Sequence, residues 1–346
     1  MSANLVTLDI GDAFLKIAQV ELKSGKPVLQ TLAYERIPMN VYMNDSDEAE
    51  NKLVLLIQKM LKDSKVSSGN VSIVIPDSRS YTRIIEMPLL TDKELVSAVR
   101  YQAEQFIPIK IDDANLDLQN LSEDKKNRKL TVLLVASNKS TVMKVNHIGE
   151  RAGLSPISVE NETSAVFNLL TNVIKVDKKV PKPLTYSLFV NFGFSGTSLS
   201  LYEISSLILL QTHGFMVGME IFMKEIKTNF NLAEGEIEKL LFSVGFTNVK
   251  SSTDIGPVLS APYNELVTEI SRFMVGARQK YQTAISEIHL FGECAHVPGL
   301  DGKLSGSLGL PVKKFDMASF IIPNQVSEFF KHDLTLFVAS IGANLP

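Results

Sequence analysis

The sequence has few of the residues that often mark or stabilise a fold, and it has little net charge. It contains one cysteine, Cys294, and no tryptophan. An internal disulfide is therefore excluded, and a reducing compartment is the simplest expectation. The 35 basic and 38 acidic residues give a formal net charge of −3. This balance predicts no broad nucleic-acid surface, because such a surface needs a strongly basic face.

Long apolar runs are also missing from the sequence. The longest uncharged stretches lie at 184–202 and 204–219, and Ser, Gly, Asn, Gln or His interrupts each of them at short intervals. Crossing a bilayer requires about 20 mostly apolar residues, so both stretches are interpreted as strand hairpins. The N-terminus has neither a basic start nor a long apolar core, which predicts no signal peptide. We therefore expect a cytoplasmic protein, any membrane link of which comes through a partner or a surface contact.

An internal repeat is the most informative feature of the sequence. The tetrapeptide LDIG at residues 8–11 recurs as VNFG at 190–193, and VLQT at 28–31 recurs as LLQT at 209–212. The offsets are 182 residues (191 minus 9) and 181 residues (210 minus 29), so the two matches are nearly in register. Each copy has apolar runs separated by turn residues, which indicates three consecutive strands. The repeat predicts an α/β protein with two similar halves around a cleft.

The domain organisation follows from this repeat. We expect a first half at residues 1–183 and a second half at 184–346, joined by the Pro- and Lys-rich segment 175–183, with the C-terminal helix returning to the first half. A small α+β subdomain at about 70–153 is predicted to interrupt the first half. Within it, the sequence Thr-Asp-Lys-Glu at 91–94 is typical of a capping box that opens a helix.

The first candidate binding segment is the turn at residues 9–16. Asp9 ends an apolar run, and a carboxylate in that position can hold hydrated Mg²⁺. Gly11 allows a turn whose backbone N–H groups face an anion. Lys16 is long enough to reach a phosphate, and Asp12 lies in the same turn. A hairpin turn with no ligand is the alternative interpretation of this segment.

Two further segments have a similar composition. The second contains Asn191, Gly193 and Thr197, with hydroxyl groups that are potential donors to phosphate. The third contains Gly292 and Glu293 after an apolar run, followed by Pro-Gly, which favours a close approach of the backbone to a flat ligand. Each could equally be an ordinary connection, and their order along the chain carries more weight than any one of them.

In this order, the three segments resemble the phosphate and adenosine loops of the actin, sugar-kinase and Hsp70 superfamily. More narrowly, the sequence is similar to the PilM family of type IV pilus assembly, a relative of the division protein FtsA. The similarity covers nearly the whole chain and is most specific in AEQFIPI at 103–109, with further stretches at 133–154 and 292–312. It implies an actin-like fold of two ribonuclease-H-like halves.

The resemblance also implies ATP with Mg²⁺ at these loops, with Asp9 facing the metal. The sequence departs from the family pattern at four positions. Asn191 replaces an acid, Glu293 and Met219 replace glycines, and Leu241 stands where a lysine is expected. Each change removes a charge, a donor or backbone access. We therefore predict weak Mg²⁺-dependent binding, weak or absent ATPase activity and no catalytic residue.

For partners, the resemblance implies a scaffold that docks the cytoplasmic N-terminal tail of a single-span, PilN-like membrane protein, possibly under nucleotide control. The inserted subdomain and its neighbour would form the groove for this tail. Arg79, Arg83 and Arg100 lie in that subdomain and are candidate anchors for a carboxylate or carbonyl group. Self-association of the chain stays open.

Two alternatives remain from the residues alone. One is a small-molecule kinase on the same fold, although no acid is evident for the base that such a reaction needs. The other is an FtsA-like division protein, which would end in an amphipathic membrane helix. The C-terminal residues 338–346 carry no basic face for anionic lipid, which disfavours that alternative.

Overall fold

The computed structural model describes residues 5–66, 68–90, 94, 98–99, 107–174, 184–247 and 254–345. These residues form two compact units. One unit holds the described residues before Asp177, residues Leu207–Thr212 and the chain from Met317 onward, and the other holds the remainder up to Asp316. The segment 175–183 and most of 91–106, including the predicted capping box and the stretch around Phe106, lie outside the described residues.

Strands account for much of the described chain. Numbered in chain order, the strands are β1 (Leu5–Ile10), β2 (Phe14–Lys23), β3 (Lys26–Arg36), β4 (Asn70–Ile75), β5 (Ser80–Pro88), β6 (Ala114–Asp124), β7 (Lys129–Asn138), β8 (Ser155–Asn161), β9 (Tyr186–Phe192), β10 (Thr197–Glu203), β11 (Ile208–Phe215), β12 (Ile285–Phe291) and β13 (Val312–Lys314).

The α-helices are numbered in the same way. They are α1 (Asp47–Asp63), α2 (Lys139–Arg151), α3 (Glu162–Val173), α4 (Met219–Phe230), α5 (Glu234–Ser243), α6 (Gly256–Tyr281), α7 (Leu300–Leu308), α8 (Gln325–Phe329) and α9 (Val338–Gly342). None of the helices in the described ranges combines the length and apolar character needed to cross a bilayer.

The first unit is built on a five-stranded sheet with the order β3-β2-β1-β4-β8. The central strand β1 pairs antiparallel with β2 and parallel with β4. Nearly every residue of β1 is buried, as expected for a strand that is covered on both faces. Helix α1 begins at the N-cap Ser46 and packs its apolar stripe, which includes Leu53 and Ile57, into the core under this sheet.

A separate three-stranded sheet with the order β5-β7-β6 lies within residues 80–138. Two elements within the predicted subdomain at 70–153 are instead part of the five-stranded sheet and its core. Strand β4 pairs with β1 and β8, and α2 buries Val145 and Ile148 in the core of the five-stranded sheet. The boundaries 70–153 are therefore too wide for the extra sheet, because parallel pairing joins strands that are distant in sequence.

A second five-stranded sheet repeats the pattern of the first. Its strand order is β11-β10-β9-β12-β13, the same as β3-β2-β1-β4-β8 position by position. The meanders β1–β2–β3 and β9–β10–β11 are the two repeat copies, so the prediction of three matching strands is confirmed. The stretch 184–202 forms the hairpin of β9 and β10, as predicted, whereas 204–219 contains the single strand β11.

The C-terminal segment packs on the first unit. Helix α9 lies against α3, β1 and β2. The side chain of Asn344, just after α9, donates to the Leu5 and Ala18 carbonyls and accepts from the backbone N–H of Val20. These bonds fasten the end of the chain to the first two strands.

Gly342 should be intolerant of any side chain. A Cβ atom there would collide with the Ala165 carbonyl and lie 3.1 Å from the Cβ of Leu169, so Gly342→Ala would push α9 away from α3. We expect the free energy of unfolding, measured with denaturant, to fall by about 1–3 kcal/mol. The matched control is Gly276→Ala in α6, where nothing lies within 4 Å of the new atom. That change should be neutral or stabilise by up to about 1 kcal/mol. Equal effects of both substitutions would contradict the close packing of α9.

Candidate functional site

The turn between β1 and β2 contains the first predicted loop. The Gly11 N–H donates to the Phe14 carbonyl at 2.9 Å, which closes the turn. A Cβ atom at Gly11 would lie 2.7 Å from that same carbonyl oxygen, so only glycine fits. The Gly11 N–H therefore has a protein acceptor and does not face outward, contrary to the expectation for this residue.

Asp9 and Lys16 form a buried ion pair behind this turn. They are cross-strand neighbours in the β1–β2 register, with 3.4 Å between Lys16 Nζ and Asp9 Oδ2. Their exposed fractions are 1% and 3%. Ser340 on α9 donates to the same Oδ2 at 2.7 Å. The carboxylate predicted to hold magnesium is thus occupied by two donors from the protein itself.

Asp12 is also enclosed by protein donors. Arg79 reaches its Oδ1 through Nη2 at 2.6 Å and Nε at 3.2 Å, and Asn40 donates to the same oxygen. Ser78 donates to Oδ2 at 3.0 Å. The Arg79 guanidinium also stacks on the ring of Tyr42. Arg79, a predicted partner anchor, is therefore committed to the chain's own carboxylate.

The polar groups of the second predicted loop also form hydrogen bonds with other groups of the protein. The Gly193 N–H donates to the Gly196 carbonyl at 3.0 Å, which repeats the Gly11 turn. Thr197 is buried, and its hydroxyl donates to the Val217 carbonyl at 2.5 Å. The hydroxyl proposed to donate to a phosphate already has a protein acceptor.

The third loop packs directly on the second. Gly292 has a φ of 89°, and a Cβ atom there would collide with the side-chain oxygen of Asn191. Glu293 is buried, and its Oε2 lies 3.4 Å from the position that a Cβ at Gly193 would take. The structure therefore brings Asn191, Gly193, Gly292 and Glu293 together, with a carboxylate beside the turn that was expected to bind phosphate.

Charged and hydroxyl side chains of these loops are bonded to other protein groups in this structure. Asp9, Asp12, Lys16 and Thr197 hold one another or other protein groups, and Glu293 adds negative charge near the second turn. In the part of the chain that the structure describes, no group of three or more His, Cys, Asp or Glu side chains is placed to hold a metal ion. The assignment of these residues to a nucleotide stays a prediction.

A cavity of about 310 Å³ opens elsewhere in the first unit, between β8, β6, β7 and α2. Strand β8 lines it with all of residues 156–161, whereas β7 contributes Val135 and Ser137, and α2 contributes Val142 and Asn146. Successive side chains of a strand point to opposite faces, so a cavity against one face meets every second residue, as on β7. Six consecutive residues indicate a cavity that runs along the edge of β8.

Strand β6 contributes residues 115–117, which are also consecutive. Both β6 and β8 are the outer strands of their sheets. We call this cavity the β6–β8 groove. Arg83 is exposed and does not line it, and Arg100 lies outside the described residues. The resemblance implies a groove between the inserted subdomain and its neighbour, but the residue patterns missed its lining residues, because its walls come from strands in two different sheets.

Glu160 lies at the floor of the β6–β8 groove within a chain of polar side chains. Ser72 donates to its Oε1 at 3.4 Å, and Asn168 donates to its Oε2 at 3.2 Å. The amide oxygen of Asn168 accepts in turn from Gln119 on β6. Burial raises the pKa of Glu160 to about 7, and the charge of Asp117 adds to this rise, while the Ser72 hydrogen bond opposes it.

Comparison with known proteins identifies the family. The family described as "Type IV pilus assembly protein PilM" matches residues 7–342. The chain belongs to the PilM family. The predicted resemblance is confirmed, and this match favours pilus assembly over the kinase and FtsA-like alternatives.

Solved structures support the fold of this PilM-family chain. A structure described as a "PilM-PilN type IV pilus biogenesis complex" is 21% identical, covers 100% of both chains and has a TM-score of 0.85. The ethanolamine utilization protein EutJ from Carboxydothermus hydrogenoformans is 12% identical, covers 99% of this chain and 89% of its own, and has a TM-score of 0.52. The actin-like fold that the family resemblance implies is confirmed.

The stability of the PilM-family protein should depend on pH through Glu160. The folded state keeps its proton up to a pKa of about 7, whereas the unfolded chain releases it near 4.5. Stability from this group is therefore lost as the pH rises through that window. Gln cannot ionise, so Glu160→Gln should match the parent at about pH 4 and exceed it at about pH 8, by at most about 3 kcal/mol.

Denaturant unfolding at several pH values measures this difference. The matched control is Glu265→Gln on α6, an exposed acid that should leave the profile unchanged. Profiles for Glu160→Gln and the parent that run parallel from acid to alkaline pH would show that Glu160 is solvated like an ordinary surface acid.

Proposed function

We propose that this PilM-family protein is a scaffold of type IV pilus assembly that docks the cytoplasmic tail of a PilN-like inner-membrane protein in the β6–β8 groove. The observation that carries the proposal is the edge-on approach of the groove to β8, shown by its six consecutive lining residues. An exposed strand edge offers backbone N–H and C=O groups to an extended peptide, which binds as an added strand. A protein of the same family is known as a complex of PilM with PilN, which supports this class of partner.

The side chains of the groove suit such a peptide. Ile157 on β8 lines the groove and is 58% exposed, so a docked peptide would cover apolar surface there. Pro156 and Val159 extend this apolar lining, and Ser158 and Asn161 add polar groups beside it. Apolar pockets next to a strand edge give a peptide its selectivity, while its backbone gives affinity. A tail that orders on binding loses entropy, so micromolar affinity is expected.

The tail would hold the scaffold at the cytoplasmic face of the inner membrane. We propose this peripheral location because it follows from docking a membrane-anchored partner. The inserted sheet β5–β7 has its outer strand β6 on one wall of the groove, and the main sheet has β8 on the other. The wall residues thus come from both sheets of the first unit.

We further propose that nucleotide has at most a weak role in this chain. Phosphate oxygens at the first loop would have to compete with Asp9 for Lys16 and Ser340, or with Asp12 for Arg79. Breaking a buried ion pair costs more than the pair contributes when it is intact. The supporting observation is that these cations are already paired within the first unit.

Docking should depend on Ile157 and not on exposed apolar residues elsewhere. Ile157→Asp places a charge where the tail covers an apolar side chain, whose burial is worth about 1.5–3 kcal/mol. Affinity for a synthetic peptide of the PilN-like tail, measured by calorimetry, should fall by about tenfold or more. The matched control is Val275→Asp on α6, which is 57% exposed and does not line the groove. Unchanged affinity in Ile157→Asp would place the docking site outside the β6–β8 groove.

Titration with ATP and Mg²⁺ should show little binding. We expect a dissociation constant no tighter than about 1 mM, which corresponds to about 4 kcal/mol, and no phosphate release above the buffer rate. Binding of the tail peptide by the same sample serves as the control for active protein. Tight ATP binding that Asp9→Ala abolishes would contradict the weak role of nucleotide, and rapid hydrolysis would contradict the scaffold proposal.

A further inference from the structure

The charge on the β6–β8 groove has one sign. Its described lining residues include two acids, Glu160 and Asp117, and no Lys, Arg or His. Glu160 lies at the floor and is partly buried, and Asp117 lies on β6 and is exposed. A groove with acids at its floor and rim complements a positively charged group of its ligand.

We propose that Glu160 binds a cationic group of the docked tail, either a Lys or Arg side chain or the free α-amino group, and selects for tails that carry one. This proposal rests on the docking function assigned above and names the chemistry that the groove recognises. Cytoplasmic segments close to a membrane span are enriched in Lys and Arg, so a tail of this kind supplies the required charge.

The hydrogen bonds of Glu160 leave room for such a group. An ionised carboxylate has about four acceptor positions. Ser72 on β4 occupies one and Asn168 on α3 another. Both donors are neutral, so they orient the carboxyl group without compensating its charge. Ser158 donates to the Ser72 hydroxyl at 2.8 Å, and Gln119 donates to Asn168 at 2.8 Å, which fixes the two donors in place.

Among the described residues that line the groove, no cation competes for this role. The titratable group that faces it is Asp117 from β6, which has the same sign. The groove residues on β7 and α2 near it are Val135, Ser137, Val142 and Asn146, and none of them titrates. Glu160 therefore holds a proton in part at neutral pH, since its pKa is about 7. An ammonium or guanidinium group that binds there favours the carboxylate and releases that proton to solvent.

The contrast with the loops of the same unit supports this assignment. Asp9 and Asp12 are each paired with a cation of the chain, Lys16 and Arg79 respectively. Glu160, by contrast, is partly buried at a cavity, and the hydrogen-bond partners described for it, Ser72 and Asn168, are both neutral. A partner with a positively charged group would form the ion pair with Glu160 that the chain itself does not supply among the contacts described.

The test uses the full-length protein and a synthetic peptide of the tail that precedes the membrane span in the PilN-like protein of the same genome. Calorimetry between about pH 6 and pH 8 should show affinity rising by up to about tenfold for a Lys or Arg side chain, and by less for the α-amino group, which itself begins to lose its proton near pH 8. A group with a pKa near 7 goes from about one-tenth to about nine-tenths ionised over this range. Glu160→Gln should weaken binding at about pH 8 and remove the pH dependence. The control Glu265→Gln should behave like the parent.

Peptide variants identify the source of the positive charge. Replacing each Lys or Arg by a neutral residue of similar length, or acetylating the α-amino group, should reproduce the loss in one variant. That variant should be insensitive to Glu160→Gln, because the two changes remove the same interaction. A parent peptide that binds Glu160→Gln with unchanged affinity and pH dependence overturns the proposal, as does equal binding of all the neutralised peptides.

These outcomes separate this proposal from the docking function. Failure of docking appears as no binding of the parent peptide, or as binding that Ile157→Asp leaves unchanged. Failure of the charge selection alone appears as binding that Ile157→Asp weakens but that does not respond to Glu160→Gln or to neutralised peptides.

Discussion

The buried pair of Asp9 and Lys16, closed by Ser340, is the interaction on which the first unit depends. It joins three elements that are far apart in the chain, because β1 and β2 supply the ions and α9 supplies the hydroxyl. A buried ion pair contributes little net stability, but removal of one partner leaves an uncompensated charge and is costly. The pair therefore acts through specificity: it favours the register in which Asp9 lies opposite Lys16 and the docked position of α9. The close contact of Gly342 with α3 reinforces the same arrangement.

The ion pair of Asp9 and Lys16 changes the interpretation of the first loop, which resembles a phosphate-binding turn in the sequence. In the sequence, Asp9, Gly11 and Lys16 have the residue types that a nucleotide site needs. In the structure, the same residue types satisfy one another across a hairpin, and the backbone N–H of Gly11 closes the turn. The residue types alone do not distinguish the two uses, since both need an acid, a base and a tight turn. The distinction comes from Ser340, which is more than 300 residues away in the chain.

The parts of the fold that could be predicted from the sequence are those that depend on short-range sequence patterns. The two meanders follow from apolar runs and turns, which are short-range features, and their recurrence at a nearly constant offset indicates that the halves are alike. The placement of β4 and α2 was wrong because parallel pairing with β1 is decided by contacts that no local pattern shows. The residues that line the β6–β8 groove could not be predicted for the same reason, although the resemblance implied a groove beside the inserted subdomain. Glu160 had one local signal, an acid in a strand between Val159 and Asn161, but its surroundings come from β4, β6 and α3.

The distribution of charge partners separates structural acids from acids available to a ligand. A fold stabilises a buried carboxylate most directly by placing a cation of its own beside it, as Lys16 and Arg79 do. Such an acid binds a cation of a partner weakly, because that cation must compete with a cation of the chain that is always present. Glu160 differs because neutral donors fix its geometry while its charge remains uncompensated, so its ionisation is unfavourable until a cation arrives. In a protein whose net charge is only −3, recognition through charge depends on the positions of individual charged groups and not on the overall balance. The edge of β8 places one of them where an extended chain can reach it.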